Sequence, residues 1–217
     1  MKHFLLIFCS ALLCLTFAAC GSTSEPQPSN DTGLQDADSP SETDLQAEPE
    51  ETDISNNLKG EGSVDAPAVE GTLIEADYGS YVLPDGWYEF DQISTPEKIF
   101  YLKEGVSTES VISNISVECG DSKYAKDDHL EFRTALVQQL GAQASAAGMQ
   151  MTAGGSYTEA GDVLYIFTIS NDVSSTVQYY VIGDYRYVLI HVTDLMDERI
   201  PDVNTIAAAI ADSFTWA

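Results

Sequence analysis

Cationic side chains are the scarcest class in this chain. Nine Lys and Arg stand against 35 Asp and Glu, a formal net charge of −26 over 217 residues. Such a surface repels the phosphates of nucleic acids and anionic headgroups, which excludes nucleic acid as a partner. Cysteine is also sparse, limited to Cys9, Cys14, Cys20 and Cys119. No Cys-x-x-Cys and no closely spaced His pair occurs, so nothing in the spacing points to zinc. The apolar run from Phe4 to Phe17 falls short of the roughly 20 residues that span a bilayer.

What that run does match is a signal-peptide core, preceded by the short basic segment Lys2-His3 and followed by small residues. Ala18-Ala19-Cys20-Gly21 resembles the bacterial lipobox, in which the cysteine takes a diacylglycerol on sulfur and becomes the mature N-terminus. The resemblance implies that residues 1–19 are a lipoprotein signal peptide, that Cys20 is the lipidation site, and that the lipid holds the protein to the extracytoplasmic face of the membrane. Two acyl chains give lasting attachment where one is marginal. An ordinary secretory signal with Cys20 as a passenger is the alternative. Once the signal is removed and Cys20 acylated, Cys119 alone remains as a thiol, and the exported domain has no internal disulfide to stabilise it. Cys119 falls in phase with Val111, Ile115 and Val117, which reads as a small buried hydrophobe rather than a reactive thiol.

Residues 20–70 form a second compositional region. From Gly21 to Glu70 there are thirteen acidic residues, one Lys and no aromatics, with Pro, Ser, Thr, Gln and Asn filling much of the rest. Low hydrophobicity and like charge cannot offset ordering entropy, so this stretch reads as a disordered acidic linker spanning about 40 Å. The EF-hand ligand pattern, started at Asp31, fails here.

Residues 71–217 are long enough for one domain with its own core. Thr72 to Leu83 reads as an extended strand or two short ones, and Pro84-Asp85-Gly86 as a turn before Trp87. Lys98 to Lys103 and Ser110 to Cys119 alternate with period two. Asp128 and Glu131 resemble a capping box opening a helix, with Leu130, Val137, Leu140, Ala144 and Ala147 near one face and Gly148 as its stop. Four strands follow: Met149 to Thr158, Asp162 to Asn171, Ser175 to Ile182 and Tyr185 to Thr193, the last two joined by a tight Gly183-Asp184 turn. Pro201 opens a closing helix in which Val203, Ile206, Ile210 and Phe214 recur at helical spacing. Strands, helix, meander and helix predict an α+β domain on an antiparallel sheet.

Two motifs carry a family resemblance. Tyr81-Val82-Leu83-Pro84-Asp85-Gly86-Trp87 is similar to the extended strand and Pro-x-Gly-Trp opening of PsbP/Mog1-like domains, and the close Ile210-Ala211-Asp212-Ser213-Phe214 resembles their final helix. The resemblance covers most of residues 73–216. It implies an α/β/α sandwich with a central antiparallel sheet and two main helices, and a non-catalytic adaptor or binding role. No catalytic residue and no cofactor follow from it.

Chemistry is hard to find downstream. Gly120-Asp121-Ser122-Lys123 echoes the nucleophile block of GDS-type hydrolases, but the partnering Asp-x-x-His is missing. His129 reads as a solvent-facing residue of the first helical turn. His191 sits in a Tyr-rich strand whose odd positions, Tyr185, Tyr187, Leu189, His191 and Thr193, form one amphipathic face, with Tyr179 of the preceding strand sharing it. Such a face can meet a protein or a sugar, because Tyr offers apolar area with a polar tip; a covering helix would instead make it core. Asp194, Asp197, Glu198 and Asp202 cluster before the last helix, where they favour its dipole or hold Ca²⁺; no resident metal is expected. The function that emerges is a membrane-anchored lipoprotein whose domain binds a protein or envelope component through Tyr179, Tyr185, Tyr187 and His191. The alternative is a small-ligand receptor or enzyme using that face or the acidic loop 194–202.

Overall fold

The structure, a computed structural model, describes the backbone of residues 58–63 and the whole of residues 66–108, 112–196 and 198–217. The signal segment, Cys20 and most of the acidic linker lie outside the described residues.

The chain forms an α+β fold with eleven described strands, β1 (Leu58–Ser63), β2 (Gly71–Ala76), β3 (Gly79–Pro84), β4 (Trp87–Glu89), β5 (Lys98–Lys103), β6 (Asn114–Asp121), β7 (Gln150–Tyr157), β8 (Val163–Ser170), β9 (Ser175–Ile182), β10 (Arg186–Asp194) and β11 (Thr215–Trp216). Two helices accompany them, α1 (His129–Ala146) and α2 (Val203–Asp212). Eight strands make one sheet in the order β1-β7-β8-β9-β10-β6-β5-β4, and β11-β3-β2 make a small second sheet. All pairings are antiparallel except β1 with β7.

Period-two alternation in β10 divides the large sheet into two apolar faces. Val188, Ile190 and Val192 join α2 and the small sheet in one cluster, whose fully buried members include Tyr81, Tyr101, Ile210 and Phe214. Tyr187 and Leu189 point the other way, into a cluster built with Phe132, Leu136, Leu140 and Ala144 of α1. The two helices therefore lie on opposite faces, the sandwich layering that the sequence motifs imply. Within the α2-side core the hydroxyls of Tyr81 and Tyr101 bond at 2.6 Å, so neither buried oxygen is left without a partner.

Three expectations change. The buried stripe of α1 is Phe132, Leu136, Leu140 and Ala144 at i, i+4 spacing, whereas Leu130 is 53% exposed. No capping-box bond forms, because a 3₁₀ turn over Lys126–Asp128 leads into the helix and leaves Asp128 without a side-chain cap. Gly148 does end the helix in the left-handed conformation, φ 67°. The β9–β10 turn has two residues at its tip, but they are Asp184 and Tyr185, one position later than expected, with Ile182 opposite Tyr187 and the Gly183 N–H donating to Arg186 O at 2.9 Å. Its tip is fixed from outside. The Tyr185 N–H donates to Tyr124 O at 3.1 Å and the Ser122 N–H to Tyr185 O at 2.7 Å, holding Tyr185 at φ 56°.

Leu58–Ser63, counted with the linker on composition, is an edge strand of the large sheet. Strand addition uses backbone groups, so a Gly- and charge-containing segment can pair without an apolar pattern to announce it. Ala66 packs against the α2-side core. Among the described residues no helix is long and apolar enough to cross a membrane.

Candidate functional site

Helix α1 packs against β7 and β8, and its Phe132 reaches Tyr180 and Tyr187 at ring-centroid distances of 6.0 and 5.6 Å. No residue of β6 or β5 joins the α1 cluster. The same face of the sheet therefore continues past the helix onto β10, β6 and β5, and there its character turns polar.

Register defines what is displayed. Phe167, Gln178, His191, Ser116 and Phe100 form one transverse row across β8, β9, β10, β6 and β5. On one side of it runs Thr176, Thr193 and Asn114; on the other run Tyr180, Leu189, Glu118 and Lys98. The middle of the first row is where hydrogen-bonding capacity goes unused. Tyr180 donates its hydroxyl to Gln178 Oε1 at 2.8 Å, which fixes the amide and leaves its Nε2 donors to offer. Ser116 is 0% exposed, and its Oγ has no hydrogen-bond partner. Among the described residues the His191 ring likewise has none. A buried hydroxyl left unpaired costs free energy; Tyr78 Oη, Arg133 Nε, Asp212 Oδ1 and Trp216 Nε1 share that state among the described residues, but of these groups Ser116 alone lies in the polar row.

Charge at the site is balanced. Lys98 Nζ meets Glu118 Oε2 at 2.8 Å and lies 5.4 Å from the Phe100 ring centroid. Burial, with the Lys98 cation adding to it, lowers the His191 pKa to about 4, so the imidazole is neutral at pH 7 and offers one donor and one acceptor. The folded state then resists protonating a group that the unfolded chain protonates near pH 6.5. The stability this contributes is complete above pH 6.5 and is lost as the pH falls toward 4, by up to about 3 kcal/mol. Urea unfolding of the full chain at pH 7 and pH 4 should show a smaller acid loss for His191→Gln than for the unsubstituted protein; coincident losses would mean that His191 is not desolvated.

The expected Tyr-rich patch separates into unlike parts. Tyr179 lies opposite Ile190, on the α2 side of the sheet, where its hydroxyl donates to Asn204 Oδ1 at 2.8 Å. It does not share a face with His191, because the β9–β10 turn sets a register in which Gln178, not Tyr179, pairs with His191. Tyr187 is 7% exposed under Phe132, and burial first, then Glu118, pushes its pKa to about 12. Tyr185 is 57% exposed at the turn, away from the polar row. Of the four residues singled out, His191 alone belongs to the polar row. Gln178, Ser116, Lys98, Glu118 and Phe100 were not legible in advance, since only cross-strand register gathers them; the one hint is a polar residue between apolar neighbours, as in Val177-Gln178-Tyr179 and Ile115-Ser116-Val117.

The other candidates resolve differently. His129 is not solvent-facing, because its Nδ1 hydrogen-bonds Tyr165 Oη at 2.6 Å. Cys119 packs against the α2-side core, and burial raises its pKa. In the acidic loop, Asp194 Oδ1 accepts from Met196 N at 2.8 Å and Asp202 Oδ1 from Lys103 Nζ at 3.1 Å. Asp197 lies outside the described residues, and among those described no cluster of three or more His, Cys, Asp and Glu side chains suits a metal ion.

No family model and no curated protein sequence matches this chain. Its fold is similar to the solution structure of cyanobacterial PsbP (CyanoP) from Synechocystis sp. PCC 6803, with 15% identity over 72% of this chain and 98% of the other, and a TM-score of 0.44. It is also similar to a crystal structure from Bacteroides thetaiotaomicron VPI-5482, with 14% identity over 69% of this chain and 49% of the other, and a TM-score of 0.39.

Proposed function

We propose that this protein is an extracytoplasmic lipoprotein, held to the membrane by a lipid on Cys20 and carrying a non-catalytic domain that binds a protein or envelope component. The anchor rests on the Phe4 to Phe17 run and Ala18-Ala19-Cys20-Gly21. The acidic stretch after it spaces the domain from the membrane. The binding surface is the part of the sheet face that α1 leaves uncovered. One observation carries this assignment, the unpartnered Ser116 Oγ with no exposure, set between His191 and Phe100 in the row. Unused hydrogen-bonding capacity on a polar face is what a binding surface offers.

A photo-crosslinking residue placed at position 100 in intact cells should give an adduct that His191→Ala removes. The same residue at the exposed Leu73 of the small sheet is the control. Adducts only from position 73, or adducts from position 100 that ignore His191, would refute the face. In the same cells Cys20→Ser should move the protein from the membrane to the soluble fraction; retention would refute the lipid anchor.

A further inference from the structure

We infer that the polar row beside α1 takes an uncharged, polyhydroxylated ligand, a segment of a neutral glycan chain. The inference rests on the assignment of this face as the binding surface and names the chemistry that suits it.

Charge comes first. Residues 71–217 carry a net charge of −15, which disfavours anions at long range. At close range Lys98 opposes a cation, while its pairing with Glu118 at 2.8 Å leaves no free positive charge to recruit an acid. A neutral ligand meets neither obstacle.

Hydrogen-bond type comes next. The row presents a serine hydroxyl buried without a partner, a neutral imidazole, and an amide whose oxygen alone is bonded by Tyr180. Hydroxyl and neutral imidazole each donate and accept, as sugar hydroxyls do. An extended peptide needs partners for its backbone amides and obtains them at a sheet edge. Here β10 is paired on both sides, with β9 and β6, and β6 with β10 and β5, so the strands under the site have no free ladder to offer. The face can be read through side chains only. Phe100 ends the row; Lys98 Nζ takes one face of its ring at 5.4 Å, and the negative other face attracts the polarised C–H groups of a sugar ring.

The test follows His191 and the Gln178 side-chain amide by NMR in the isotope-labelled full chain. The probes are cellohexaose, maltohexaose and chitohexaose, with hexagalacturonate as the acidic counterpart and an uncharged Gly-, Ser- and Asn-containing decapeptide. At least one neutral hexasaccharide should shift both signals saturably and hexagalacturonate should not. Gln178→Leu and His191→Ala should each weaken the saccharide at least tenfold. Ser116→Ala, which removes the unpaired hydroxyl without enlarging the side chain, should weaken it while the domain stays folded, so that lost binding cannot be ascribed to lost structure. Shifts produced only by the decapeptide or only by hexagalacturonate would overturn the neutral glycan and leave the face standing. No shift with any probe would also overturn the glycan, and the crosslink at position 100 then decides the face separately.

Discussion

Phe214→Ala should destabilise the protein by about 3–5 kcal/mol and lower its thermal midpoint by roughly 10 °C or more. Phe214 is fully buried where the C-terminal segment folds back on the small sheet. Its ring lies 6.4 Å from that of Tyr78 in a stacked arrangement and 4.9 Å from that of Trp216 edge-on. Truncation leaves a ring-sized void among side chains held on several sides, and close-packed interiors refill such voids poorly. The space opposite is just as constrained. A Cβ at Gly79 would come within 2.4 Å of Thr215 O and 2.7 Å of the Phe214 ring, so the backbone reaches Phe214 there only because residue 79 is glycine. Circular dichroism of the full chain on heating measures the shift, and Phe214→Leu should recover much of it. A loss below about 1 kcal/mol would mean that the C-terminal segment is not docked as described.

The second large effect is expected on the opposite face. Phe132→Ala should also cost about 3–5 kcal/mol, because Phe132 joins α1 to the sheet through Tyr124, Tyr180 and Tyr187, at centroid distances of 5.9, 6.0 and 5.6 Å. It should leave a signature that simple destabilisation does not. Burial is the leading reason that the Tyr187 pKa rises to about 12, and opening the cover admits water to its phenol. Ultraviolet titration of the still-folded variant should therefore show one more tyrosine ionising near pH 10 than in the unsubstituted chain. An unchanged titration would place some other group over Tyr187.

The order of elements was legible from β3 onward because alternation and turn residues are local signals. Lys98–Lys103 and Ser175–Ile182 match the expected strands in full. Strand pairing is not local. Whether Thr176 or Gln178 stands beside His191 depends on which two residues form the turn, and the tip at Asp184–Tyr185 is tied to Tyr124 and Ser122, more than fifty positions earlier. A tip at Gly183-Asp184 shifts the register by two residues, and with either tip Tyr179 falls on the face opposite His191. The same limit explains α1. Leu130 and Phe132 are both apolar and close in sequence, and only the neighbouring strands decide that Phe132 enters the core while Leu130 faces out. The polar row was least legible, since Phe100, Ser116, Gln178 and His191 come from four separate strands.

The parallel pairing of β1 with β7 gives the domain a mechanical asymmetry. Any pull transmitted through the N-terminal chain meets the β1–β7 bonds before it meets the antiparallel ladders from β7 to β4. The β1 register is also broken, with Leu58 opposite Gly155 and Ser63 opposite Tyr157. The outer strand is therefore the weak link in series. Its release would free residues 58–70 as roughly 45 Å of extended chain while the strands from β7 to β4 kept their pairing, so that the domain would lengthen under load before it unfolded.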